Sequence, residues 1–146
     1  MGVLVRDGGF AVIADEIFLA PEAIGEGAGH AVDLANDADP QALAGLLDRL
    51  SLIRIAFPSF ADGRGFSLAR RLRLAGYRGT LRARGHVLAD QYPLAIRCGF
   101  DEVEITPEQA ARQPERQWAE SLRRVALNYQ DRLMGQPSGQ SSTRAA

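Results

Sequence analysis

The chain has 146 residues, 46% of them apolar, which is enough for one compact domain with a core and too few for two ordinary ones. Its formal net charge of -1 excludes a general polycationic surface of the kind that drives non-specific binding to nucleic acid. There is no apolar run of the roughly 18 residues that a membrane-spanning helix needs, so neither nucleic acid nor membrane is an expected partner.

All 17 basic residues are arginines, so lysine Schiff-base and P-loop lysine chemistry are excluded for this chain alone. Cys98 is the single cysteine, which excludes an internal disulfide, a CxxC couple and a cysteine-ligated cluster. His30 and His86 are too few for a histidine-rich metal site, so no metal is expected and no cofactor is named by a motif. "GVLVRDGG" after Met1 lacks a basic stretch leading into an apolar one, and the protein is expected to be cytoplasmic.

In chain order, "VLVR" and "FAVI" are β-prone runs around Asp7, Gly8 and Gly9, which predicts a β-hairpin from Val3 to Ile13. Residues 14–30 read as irregular, apart from a short strand at Glu16 to Leu19. From residue 31 strand-like and helix-like segments alternate four times: "AVDLA", "DPQALAGLLDRL", "LIRIAF", "GFSLARRLRLAG", "TLRAR", "DQYPLAIRCG", "DEVEI" and a long final segment. This predicts an α/β fold of four consecutive βα units with a parallel sheet, half-barrel-like or open, preceded by the hairpin. Asp39-Pro40 and Thr106-Pro107 read as helix starts, and Gly76 and Gly99 as helix stops. Pro114 should break the last segment and leave a helix from about Glu115 to Arg132, with Trp118, Leu122, Val125, Ala126 and Tyr129 on one stripe. Residues 1–134 form the predicted domain, and "GQPSGQSSTRAA" is a predicted disordered tail, 135–146.

Each strand centre puts a charge between apolar neighbours, as in Ile53-Arg54-Ile55 and Val103-Glu104-Ile105. Because side chains alternate faces, one sheet face should lie under helices while the other carries Asp33, Arg54, Arg82, Arg84 and Glu104. With strands in sequence order, Asp33 should face Arg54 and Arg82 should face Glu104. That face, or the Trp118 stripe, is a candidate homodimer surface.

Ligands in parallel α/β sheets collect at the carboxyl ends of the strands, where "PSFADGRG" and "GHVLADQ" fall. The expected ligand-binding residues are Asp62, Gly63, Arg64, Gly65, Ser67 and Gln91. The glycines would let the backbone approach an anion, Arg64 would supply a fork, and Ser67 a hydroxyl. The competing reading is an ordinary turn in which Asp62 caps the helix and Arg64 is solvated. His86 and Asp90 are the candidate catalytic pair for proton transfer, against a lone exposed loop histidine.

The run "FPSFADGRGFSLARRLR..GYRGTLRARGHVLADQ....IRCGFDEVEI", Phe57 to Ile105, resembles a bacterial domain-of-unknown-function family described as a probable oxidoreductase involved in sulfite reduction. The resemblance implies a place in sulfate assimilation and cysteine biosynthesis, beside the sulfite reductase haemoprotein as partner. It brings no catalytic residues with it, and the chain shows no redox motif. The expected function is therefore an accessory one, binding a small oxyanion or the reductase through the Asp62–Gly65 loop. The alternatives are a small enzyme acting on a phosphorylated or sulfated nucleotide, and a dimeric interaction scaffold.

Overall fold

The computed structural model describes residues 2–124. It is a mixed α/β fold built on one seven-stranded sheet, in the order β2-β1-β7-β6-β5-β4-β3. The strands are β1 (Val3–Arg6), β2 (Gly9–Val12), β3 (Phe18–Leu19), β4 (His30–Leu34), β5 (Leu50–Phe57), β6 (Thr80–Gly85) and β7 (Glu102–Ile105). β3 to β7 run parallel, while β1 is antiparallel to both β2 and β7. The helices are α1 (Arg64–Leu74), α2 (Tyr92–Cys98), α3 (Pro107–Arg112) and α4, whose described part runs 115–124. Among the described residues no helix is long and apolar enough to cross a membrane.

Local chemistry accounts for most boundaries. Asp7 and Gly8 hold φ of 52° and 80°, the two positive values a tight turn between antiparallel strands requires. Gly76 and Gly99 take positive φ just beyond α1 and α2. One expected helix does not form: residues 39–50 hold two short 3-10 turns, Pro40–Leu43 and Leu47–Arg49, before β5 starts at Leu50. Asp39 does cap, accepting from Gln41 N at 3.0 Å, but Gly45 at φ 77° interrupts the segment before a second α-turn can add. The strand expected at Glu16 to Leu19 shortens to Phe18–Leu19. Val125, Ala126, Tyr129 and the predicted tail lie outside the described residues.

With consecutive parallel strands adjacent, the crossovers stack their helices on one face. Val32, Ile53, Ile55, Leu81, Ala83 and Val103 turn that way and form the core with Phe66, Leu72, Tyr92 and Trp118. The other face carries the charges. Asp33 is opposite Arg54 as the alternation suggests, but Arg82 is opposite Glu102, and Arg84 is opposite Glu104. The expected Arg82–Glu104 facing pair is thus a diagonal one, reached by the long guanidinium at 3.1 Å.

The charged face is also the inside of a curl. In a flat sheet β2 and β3 would be six strand spacings apart, about 29 Å. The connection from Val12 to Phe18 spans at most ~22 Å fully extended. The sheet must therefore bend until its edges approach, and the 13–17 segment crosses the charged side. Both ends of that segment confirm the route. A Cβ on Gly2, on that face, would lie 3.0 Å from the Ile13 Cδ1 and 3.5 Å from the Glu104 Cγ. The Phe18 ring centre lies 3.6 Å from the Arg54 guanidinium.

Candidate functional site

The two ends of the sheet are built differently. At the amino end Arg73 is consumed by structure: its guanidinium donates to the carbonyls of Gly99, Tyr77 and Gly79 and pairs with Asp101, tying the end of α1 to α2 and β7. At the carboxyl end, the loops after β4, β5 and β6 come together.

The turn after β5 leads into α1 through Asp62. Its carboxylate accepts from the Arg64 Nε at 3.0 Å and Nη2 at 2.8 Å, from the Arg64 backbone N–H at 3.2 Å, and from the Asn36 Nδ2 at 2.8 Å. The Arg64 fork, then Asn36, hold the Asp62 carboxyl well below the usual carboxylate range. Asp62 therefore aims Arg64 and links the β4 loop to α1, while one side of the guanidinium stays open.

That open side faces a cleft of about 270 Å3 lined by Asn36, Asp37, Arg64, Ser67 and Arg71. Positions 64, 67 and 71 repeat at helical spacing and so occupy one column of α1. The structure thus brings two of the expected ligand residues, Arg64 and Ser67, to one place. It adds Arg71 and Asn36, which the sequence reading missed; Arg71 was legible as the seventh residue after Arg64. Asp37 in the lining and Asp62 on Arg64 set two carboxylates against the two arginines.

Gly65, Gly63 and Gln91 are not among the residues lining that cleft. A Cβ at Gly65 would overlap the Phe57 ring, so this glycine lets α1 lie close on β5. Gly63 has no positive φ, and a Cβ there meets nothing nearer than Phe66 at 3.8 Å. Gln91 joins two loops: its Oε1 accepts from Leu88 N at 2.9 Å and its Nε2 donates to the Phe60 carbonyl at 3.2 Å.

His86 and Asp90 make their contacts with different partners. The His86 backbone N–H and ring Nδ1–H both donate to the Phe57 carbonyl, at 2.9 and 3.1 Å, and its ring meets Phe60 edge-on at 4.7 Å. Asp90 is exposed, with Arg124 at 3.8 Å.

The charged face behind these loops is a continuous network. Arg54 bonds Asp33 and Glu104, Arg82 bonds Glu102 and Glu104, and Arg6, missed in the sequence reading along with Glu102, pairs with Glu102. Leu4, Ala31 and Leu52, on that face, are no more than 6% exposed.

The family described as "Bacterial protein of unknown function (DUF934)" matches residues 31–138. No curated protein and no solved structure matches the chain. The match covers most of the chain, and the protein belongs to that family.

Proposed function

We propose that this member of the DUF934 family is an accessory protein of assimilatory sulfite reduction that binds a small oxyanion between the β4 loop and α1. One observation carries the ligand class: Arg64 and Arg71 lie on one helix column around Ser67, in a cleft where Asp62 already holds Arg64 in place. Asp62 occupies the Nε and Nη2 fork of Arg64 and so holds the remaining Nη1 edge in place, which loses less freedom on donating to an oxygen of sulfite or sulfate. The setting is supported by the resemblance of Phe57 to Ile105 to proteins of sulfite reduction.

In this reading the fold acts as a half-barrel, with its rim at the carboxyl ends of the strands presented to the sulfite reductase haemoprotein in the cytoplasm. Pairing two chains through the charged face is disfavoured by the 13–17 segment, which crosses it. A nucleotide-directed enzyme using His86 and Asp90 is disfavoured because the two side chains have separate partners.

Calorimetric titration with sulfite and with sulfate tests the ligand. Saturable binding weakened about tenfold by Arg71→Ala or Arg64→Ala is expected, in line with the loss of charge-assisted hydrogen bonds. Equal binding by both variants would reject the cleft.

A further inference from the structure

A second cavity, of about 570 Å3, opens where the carboxyl ends of β5, β6 and β7 meet. None of its lining residues belongs to the Arg64 cleft. Its volume lies in the range of small-molecule sites. Arg84, His86, Glu104, Thr106 and Glu108 are its polar lining residues, and Pro58, Ile105 and Pro107 are among its apolar walls.

Its backbone is fixed in advance. Gly85 takes φ 114°, and a Cβ there would lie 2.6 Å from the Phe57 carbonyl oxygen, so the strand end admits only glycine. The next residue, His86, gives both its backbone N–H and its Nδ1–H to that same oxygen. A carbonyl can only accept, so the neutral ring carries its proton on Nδ1 and presents Nε2 as an acceptor.

Arg84 differs from its neighbours on the charged face. Arg6, Arg54 and Arg82 are each hydrogen-bonded to a carboxylate. Arg84 approaches Glu104 only to 3.7 Å and makes no hydrogen bond among the described residues, with its side chain 54% exposed. Glu104 is meanwhile shared by Arg54 and Arg82. Among the described residues four arginines thus meet three carboxylates on this face, Asp33, Glu102 and Glu104, and Arg84 is the one whose donors are left without a hydrogen bond, in a cavity that also holds Glu104 and Glu108.

We propose that this cavity binds a small carboxylic acid bearing a hydroxyl or amino group beside its carboxyl. The open Arg84 fork takes the carboxylate, and the His86 Nε2 accepts from the hydroxyl or amine. Glu108 on the rim favours the amino form, and the proline and isoleucine walls cover the carbon skeleton.

Amide NMR titration of the full chain with L-lactate, L-serine and acetate tests this. Saturable shifts centred on Gly85, His86 and Thr106 with lactate or serine are expected. Acetate, lacking the donor, should bind several-fold more weakly, and Arg84→Gln should weaken binding about tenfold or more while leaving the spectrum folded. His86→Asn, which keeps a donor for the Phe57 carbonyl but removes Nε2, should abolish the preference over acetate. No saturable shift at these residues with any of the three acids, or undiminished binding by Arg84→Gln, would overturn the proposal. Lactate alone would assign a hydroxy acid, and serine alone an amino acid.

Discussion

Arg54 grips Asp33 on the neighbouring strand through hydrogen bonds of 2.6 and 2.7 Å, and with its remaining nitrogen reaches Glu104 at 3.2 Å. The Phe18 ring covers its plane at 3.6 Å. One guanidinium thereby joins β3, β4, β5 and β7, across a sheet face that no described helix covers.

Breaking this network should cost more than removing surface ion pairs. Arg82 and Glu102 are 6% and 1% exposed, so Arg82→Met leaves a carboxylate buried with only Arg6 as partner. Urea unfolding should show a loss of about 3 kcal/mol. The double change Arg82→Met, Glu102→Leu should recover most of it, because no charge is then left buried.

Phe18→Ala removes the ring over Arg54 and should cost about 1 kcal/mol. It should also speed proteolysis within 13–17, since Phe18 anchors one end of that segment. Limited digestion followed by mass spectrometry locates the first cut.

Gly65→Ala and Gly63→Ala make a matched pair. At Gly65 the new methyl group would overlap the Phe57 ring and push α1 off β5, at a cost of about 2 kcal/mol. At Gly63 the space is open and φ is ordinary, so the change should fall within about 0.5 kcal/mol of neutral. If Gly65 instead served to admit a ligand, its alanine variant would lose binding without losing stability.

Burial pushes the Tyr77 hydroxyl well above its usual range, and burial likewise raises that of Tyr92, whose oxygen accepts from Gly8 N at 3.1 Å. A folded pKa above the unfolded one means that the stability tied to the neutral phenol is whole below about pH 10 and is lost as pH rises through the folded value. Ultraviolet titration should show both tyrosines ionising with unfolding, not before it. Tyr77→Phe should flatten the alkaline fall in stability.

Asp62 has the opposite sign. Its folded pKa is depressed by Arg64 and Asn36, so its contribution is present above about pH 4, the unfolded value, and is lost as pH falls through the lower folded value. Acid unfolding of Asp62→Asn should have a shallower slope below pH ~4 than the parent.

Period-two alternation was enough to place Asp33, Arg54, Arg82 and Glu104 on one face, because a parallel strand offers a side chain only two directions. It did not fix the β6–β7 register, since Glu102 and Glu104 point the same way and either can oppose Arg82. Residues 39–50 have helical composition, and only the positive φ at Gly45, a property of the folded chain, shows why they turn instead. The curl over the charged face was legible in no single segment. It follows from the strand order together with a five-residue connection. At the site, the loop position was legible from the strand-to-helix order, and Arg64 and Ser67 with it. The roles of Gly65 and Gln91 were not, because their partners Phe57 and Phe60 are fixed only by packing.

We propose an accessory role in sulfite reduction exercised through the α1 cleft. Its most direct test is sulfide production from sulfite by the purified reductase haemoprotein with a natural electron donor, with and without this protein and its Arg64→Ala and Arg71→Ala variants. An increase with the parent protein that both variants lose is the predicted result. An unchanged rate in every mixture would rule that role out.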